Sequence, residues 1–331
     1  MSAFARRKGL GLGIVAAATV LLAASCSEGG RPDTEGVSGG GGAGDNSGYT
    51  IAMVTHETPG DTFWDKIKAG AEQAAANAGI DLRYSADPDP SNQSTLIQNA
   101  VDSNVDGIAT TLATPDALAG GVKSATDAGI PVVAFNSGLD QYQEVGASMY
   151  FGSDETLAGA TAGQRIADDG GQNVLCVIQA AGSVALEARC AGVKSEVPNT
   201  ENIQVDGKDD SAVTSSLQAK LSQDPSIDYI VTLGAPIALN ALDAIKDAGS
   251  KAKVGTFDFN PQIPPKIESG DLQWAIDQQP YLQGYEAVDS LWLYKVNGNV
   301  LGGGQPTLTG PFMVDKSNIA VVGKFAAAGT R

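Results

Sequence analysis

Val105-Asp106-Gly107-Ile108, Thr114-Pro115-Asp116-Ala117-Leu118, Ala128-Gly129 and Phe135-Asn136 recur later in the chain as Ile227-Asp228-Tyr229-Ile230, Ala235-Pro236-Ile237-Ala238-Leu239, Ala248-Gly249 and Phe257-Asp258, at a spacing of about 121 residues. Each set reads as a short apolar strand, a helix with proline in its first turn, a glycine stop and a second strand. A strand-helix-strand unit met twice predicts two similar open α/β lobes, each wound right-handedly. In such sheets a ligand lies outside the carboxyl ends of the strands, so two facing lobes would line one cleft.

The same alternation extends outward from the repeat. Thr50 to Thr55 reads as a buried strand, and Phe63 to Ala78 as a helix with Phe63, Ile67, Ala71, Ala74 and Ala78 on one face and Gly79 as its cap. Ile80 to Tyr84 is a strand, Asn92 to Val101 a helix, Gly107 to Thr111 a strand, Pro115 to Ala128 a helix and Val132 to Phe135 a strand. Beyond Gly152 the helices fall near Glu155 to Ala167, Val184 to Val197, Ala212 to Leu221 and Ile237 to Ala248. The strands between them fall near Asn173 to Ile178, Ile203 to Val205, Tyr229 to Leu233 and Lys253 to Phe257. This is a βαβ series.

Composition excludes several functions. The 331 residues carry 21 Lys and Arg against 38 Asp and Glu, a net charge of −17, so no basic face exists for nucleic acid. His56 is the only histidine and Cys26, Cys176 and Cys190 the only cysteines, which leaves no set for a structural zinc, and any Ser-His-Asp triad would have to use His56. The first strand runs into Thr55-His56-Glu57-Thr58-Pro59-Gly60-Asp61, without the Gly-x-Gly-x-x-Gly of a dinucleotide site. The expectation is a monomeric binding protein with no catalytic residue, no cofactor and no metal.

Arg6, Arg7 and Lys8 precede an uncharged stretch from Gly9 to Ser25, the layout of an export signal over residues 1–25. Leu22-Ala23-Ala24-Ser25-Cys26 resembles a bacterial lipobox, with Ala23 where leucine is usual, and the resemblance implies a lipid on Cys26; an ordinary cleaved signal is the alternative. Residues 26–48 are dominated by Gly, Ser and Asp and read as a flexible tether to the membrane surface. With Cys26 lipidated, Cys176 and Cys190 are the one even pair in an oxidising compartment. A disulfide is expected, with two free thiols as the alternative.

An export signal, a tether, two repeated α/β lobes, Phe63-Trp64 opening the first helix and Thr256-Phe257-Asp258 ending a late strand together resemble the sugar-binding type I periplasmic binding proteins. The resemblance implies a three-strand hinge, placed near Gly152, Phe259 and Gly304. It divides the chain into a first lobe of 49–152 plus 259–304 and a second of 153–258 plus 305–331. It further implies that Phe63 and Trp64 stack on the apolar face of a sugar or polyol, and that His56, Asp61, Asn136, Asp258 and Gln278 bond its hydroxyls. Glu187 stands where ribose binders have an arginine and Gly234 where they have an asparagine, which points away from ribose; Arg189 reads as structural. Asp61, Glu187 and Asp258 would make an acidic cleft suited to a neutral monosaccharide, sugar alcohol or inositol. The function implied is capture for the permease of an ABC importer, with reception of a sugar-like signal for a membrane sensor as the alternative.

Overall fold

Thr50–Thr55 has five consecutive buried residues after its first, and Gly107–Thr111, Val132–Phe135, Val174–Ile178 and Tyr229–Thr232 are buried throughout. Strands with no solvent face must be central and parallel, covered by helices on both sides. The computed structural model, which describes residues 48–331, places them so. The expected signal, Cys26 and the tether lie outside the described residues, apart from Gly48.

The first lobe begins with β1 (Thr50–Thr55), α1 (Phe63–Ala78), β2 (Asp81–Ala86), α2 (Pro90–Asp102), β3 (Gly107–Thr111), α3 (Pro115–Asp127), β4 (Val132–Phe135) and β5 (Met149–Ser153). The second holds α4 (Glu155–Asp168), β6 (Val174–Ile178), α5 (Val184–Glu196), β7 (Thr200–Gln204), α6 (Asp210–Gln223), β8 (Tyr229–Thr232), α7 (Ala235–Ala248), β9 (Lys253–Phe257), α8 (Ile263–Ser269) and β10 (Trp274–Asp277). The chain ends with α9 (Pro280–Asn297), β11 (Thr307–Gly310), β12 (Phe312–Asp315) and α10 (Ile319–Ala327). The sheet orders are β2-β1-β3-β4-β5-β11 and β7-β6-β8-β9-β10-β12, the same winding twice. They differ at one edge, where β11 runs parallel to β5 but β12 antiparallel to β10.

Strand alternation gives each sheet two core layers. Ile51 and Met53 join the helix α1 and α9 side of the first sheet, while Ala52 and Val54 join the α2 and α3 side. Among the described residues no helix is long and apolar enough to cross a membrane.

Two of the expected lobe boundaries move. Beyond β9, Phe259, Ile263, Ile267, Leu272 and Ala275 pack in the same core as Leu175 and Val254, so residues 259–277 belong to the second lobe, not the first. The chain crosses back only at Gln278-Gln279, where α9 buries Ala287, Val288 and Leu291 against Ile51 and Met53. Residues 307–310 then pair with β5, so the last crossing is at Gly310-Pro311, past Gly304. The first crossing lies between Ser153 and Asp154, next to the expected Gly152.

Helix pairs set the depth of each lobe. A Cβ on Gly70 would collide with the Tyr281 carbonyl and one on Gly284 with that of Ile67, so α1 and α9 cross backbone to backbone. Gly159 and Gly192 do the same for α4 and α5, against Arg189 and Thr156. Cys176 in β6 and Cys190 in α5 are joined by a disulfide with a Cα separation of 5.9 Å.

Candidate functional site

The carboxyl ends of β1, β4, β6, β9 and β10 all open on one cavity of about 800 Å³ between the lobes. Each strand delivers one polar residue there: His56 after β1, Asn136 after β4, Gln179 after β6, Asp258 after β9 and Gln278 after β10. The loop from β1 to α1 adds Asp61, Phe63 and Trp64. A cavity of this size, with a few convergent polar groups, fits a small-molecule site.

Asn136 and Asp258 both leave their strands in the left-handed region, at φ 66° and 67°, a conformation that Asn and Asp tolerate better than other side chains. The turn aims both side chains at the crossing segment. Asn136 Nδ2 donates to Gln278 Oε1 (3.4 Å) and Gln283 Oε1 (3.2 Å), while Gln278 Nε2 donates to Asp258 Oδ1 (2.6 Å). Thr309 Oγ1 and Gln283 Nε2 both bond the Gln278 carbonyl, at 2.7 and 3.1 Å, fixing the backbone under that side chain. A buried polar chain of this kind is satisfied link by link and orients its members for a ligand.

Burial drives the Asp258 carboxyl up to about 7, against the opposing pull of Arg189 and the Gln278 bond. Asp61 is raised too, chiefly by burial; its Oδ1 accepts from Phe63 N at 3.0 Å and so also starts α1. Phe63 and Trp64 meet edge to face, 5.2 Å between ring centres, and His56 stands edge to face on Trp64 at 4.7 Å. The two aromatics are buried in the lobe core as well as lining the cavity, so they serve both. Burial lowers the His56 imidazole to about 4 and keeps it neutral.

α5 turns Ala185, Leu186 and Arg189 to the cavity, while Glu187 is not itself on the lining and accepts from Gln204 Nε2, a side chain that is, at 3.5 Å. Arg189 stands on the wall, buried, with Nε donating to Glu155 Oε2 at 2.5 Å and its guanidinium 4.5 Å from the centre of the Phe257 ring. Burial works against that charge, and the Glu155 carboxylate more than restores it, holding Arg189 above its ordinary value. Asp61 and Asp258 line the cavity together with Asp206 and Asp210, with Lys208 beside them.

Gln179, Gln93 and Lys66 were not anticipated. Gln179 follows β6 as His56 follows β1, so carrying the repeat back to the first strand of each lobe would have found it. Its Oε1 is buried without a hydrogen-bond partner among the described residues, on the cavity wall. Lys66 Nζ, buried in α1, donates to Phe259 O across the lobes at 2.9 Å and to Thr62 O at 3.1 Å. Val184 N also crosses, donating to Ala113 O at 3.1 Å, so the lobes are in direct contact around the cavity. Nothing in a lysine at the fourth residue of a helix marks it as an interlobe tie.

Residues 51–299 match the sequence profile of the periplasmic binding protein domain. The chain belongs to that family, as a type I periplasmic sugar-binding protein. Among solved relatives of this binding protein is a carbohydrate transporter from Acidothermus cellulolyticus 11B in complex with myo-inositol. It is 58% identical, covers 86% of this chain and 99% of its own, and superposes with a TM-score of 0.85. The xylose/arabinose-binding protein XylF of Sulfolobus acidocaldarius is 23% identical over 274 residues, 76% of this chain and 68% of the relative. The xylitol-binding protein of Mycolicibacterium smegmatis is 30% identical over 198 residues, 57% of this chain and 56% of the relative.

Proposed function

We propose that this binding protein captures a neutral cyclitol, myo-inositol or a close isomer, as the extracytoplasmic component of an ABC importer, and delivers it to the permease. The observation that carries the reading is the 58% identical carbohydrate transporter that holds myo-inositol. The chemistry of the cleft agrees with it. A cyclitol presents hydroxyls around its rim, each both donor and acceptor, and two apolar faces. The cleft sets carboxyl and amide groups of Asp61, Asn136, Asp258 and Gln278 around Phe63 and Trp64. The acidic wall disfavours sugar acids and phosphates.

Capture works by closure. Solute contacts made from both lobes favour the arrangement in which Val184 meets Ala113 and Lys66 meets Phe259, and the population shifts toward it. Export under the 1–25 signal and a lipid on Cys26 would keep the protein at the outer face of the membrane, near its permease.

A thermal-shift titration against myo-inositol, other inositols, xylitol, xylose and ribose tests the reading. At about 100 times its dissociation constant the true solute adds about 2.7 kcal/mol of apparent stability. A clear response to a cyclitol alone supports the proposal, and a response to pentoses with none to cyclitols overturns it.

A further inference from the structure

We propose that His56 is locked as its Nε2–H tautomer and acts as an obligate hydrogen-bond donor to an oxygen of the bound solute. The lock lies in Thr111, and the donor role rests on the polyol reading of the cleft.

A threonine hydroxyl has one proton to give and two lone pairs to accept with. At Thr111 Oγ1 both acceptor places are taken, by Gln93 Nε2 at 3.1 Å and by the His56 backbone N at 3.2 Å. Gln93 cannot reverse its amide, because the same nitrogen donates to the Thr111 carbonyl at 2.9 Å, and a carbonyl only accepts. The hydroxyl proton is left for the third neighbour, His56 Nδ1, at 2.7 Å. Nδ1 is therefore an acceptor and carries no proton. The imidazole is neutral because it is buried, so its single proton sits on Nε2.

Nε2 has no protein partner among the described residues, and it is not one of the sealed, unpartnered buried atoms, so it opens on the cavity that His56 lines. This gives the cleft a neutral donor of fixed polarity at the His56 position, besides the cationic donors Arg189 and Lys208. Asp61 Oδ1 takes a backbone proton and Asp258 Oδ1 an amide proton, leaving the second oxygen of each carboxyl, when ionised, for solute hydroxyl protons. A hydroxyl or ring oxygen satisfies His56, whereas an ammonium at that point would meet a donor with no acceptor. The lock thus selects polyols over amino sugars at the His56 position.

His56 being the only histidine, protein labelled with 15N in histidine reports this one ring. Without ligand at pH 7, the expected spectrum has a pyridine-type Nδ1 and a pyrrole-type Nε2. Saturating myo-inositol should move Nε2 and leave Nδ1 in place. Thr111→Val removes the lock and should yield averaged nitrogens and affinity lower by roughly 2- to 10-fold, the worth of one hydrogen bond; Thr111→Ser should restore both. A pyrrole-type Nδ1, or averaged nitrogens, in the ligand-free wild-type protein overturns the lock. An unmoved Nε2 while calorimetry shows myo-inositol bound overturns the donor role. Absence of binding in calorimetry counts against the cyclitol reading alone, and the ligand-free spectrum still decides the tautomer.

Discussion

Asn136 and Asp258 are the same residue of the fold in two lobes, and both are bonded to one side chain, the amide of Gln278. They end the fourth strand of each sheet in sequence order, share a left-handed φ, and meet Gln278 where the chain crosses between lobes. Gln278 therefore reads the position of one lobe against the other. Gln278→Ala leaves a buried amide and a buried carboxyl short of a partner, which costs about 1–3 kcal/mol for each group left unpaired. Denaturant unfolding should show the loss, and calorimetry should show solute affinity lower by tenfold or more. Asn136→Gly should keep the backbone turn and lose affinity, while Asn136→Ala should lose both, since alanine resists a positive φ. Equal stability of the Gly and Ala variants would contradict this account.

Asp258 makes stability depend on pH. Its folded value, about 7, lies above the unfolded value near 3.8, so the protonated form is favoured on folding. The stabilisation is fully present below pH 4 and is lost as pH rises through 7, by on the order of 4 kcal/mol. Asp258→Asn removes this slope. Relative to wild type, the variant should be more stable at pH 8 than at pH 4.5, with solute binding weakened at both; urea midpoints across the range check it.

His56 contributes the opposite slope. Its imidazole titrates near 4 when folded and 6.5 when unfolded, so stability present above pH 6.5 is lost as pH falls toward 4, by on the order of 3 kcal/mol. In wild type the two slopes nearly cancel between pH 4 and 7. His56→Gln should uncover the Asp258 slope, giving a protein that gains stability on acidification, and Asp258→Asn should uncover the reverse. Parallel pH profiles for the two variants would refute the pairing.

The two-lobe fold was legible because Val105 to Asn136 and Ile227 to Asp258 carry the same strand, helix and turn signals, and period and caps are local properties of sequence. The strand-end residues followed from it, since a strand-end position places its side chain at the cleft. The crossings at Gln278 and Gly310 were misplaced because lobe membership is a tertiary fact. Ile263 and Trp274 are apolar in either lobe, and only the packing of Ile263 with Leu175 and Val254 and the pairing of β10 with β9 assign them. Glu187 differs from the other expected site residues in its place. A family motif carried over by position does not fix helix rotation, and one residue along α5 sets Glu187 behind Gln204 of the cavity wall instead of on the wall itself.

The helix crossings give a test of packing separate from the site. Gly70 in α1 and Gly284 in α9 each stand against the other helix's carbonyl, at Tyr281 and Ile67, where an added methyl meets backbone that cannot rotate away. Gly70→Ala must push α9 outward and open the layer that Ala287, Val288 and Leu291 fill, at a cost of about 1–3 kcal/mol typical of overpacking. Gly192→Ala should cost as much through α4, where Thr156 and Ala160 crowd it. Gly120 in α3 has open space where a Cβ would go, so Gly120→Ala should gain about 0.5–1 kcal/mol from helix propensity alone. Melting temperatures of the three variants should fall on opposite sides of wild type. If Gly70→Ala proved neutral, α1 and α9 would have to sit farther apart than the reciprocal glycine contacts require.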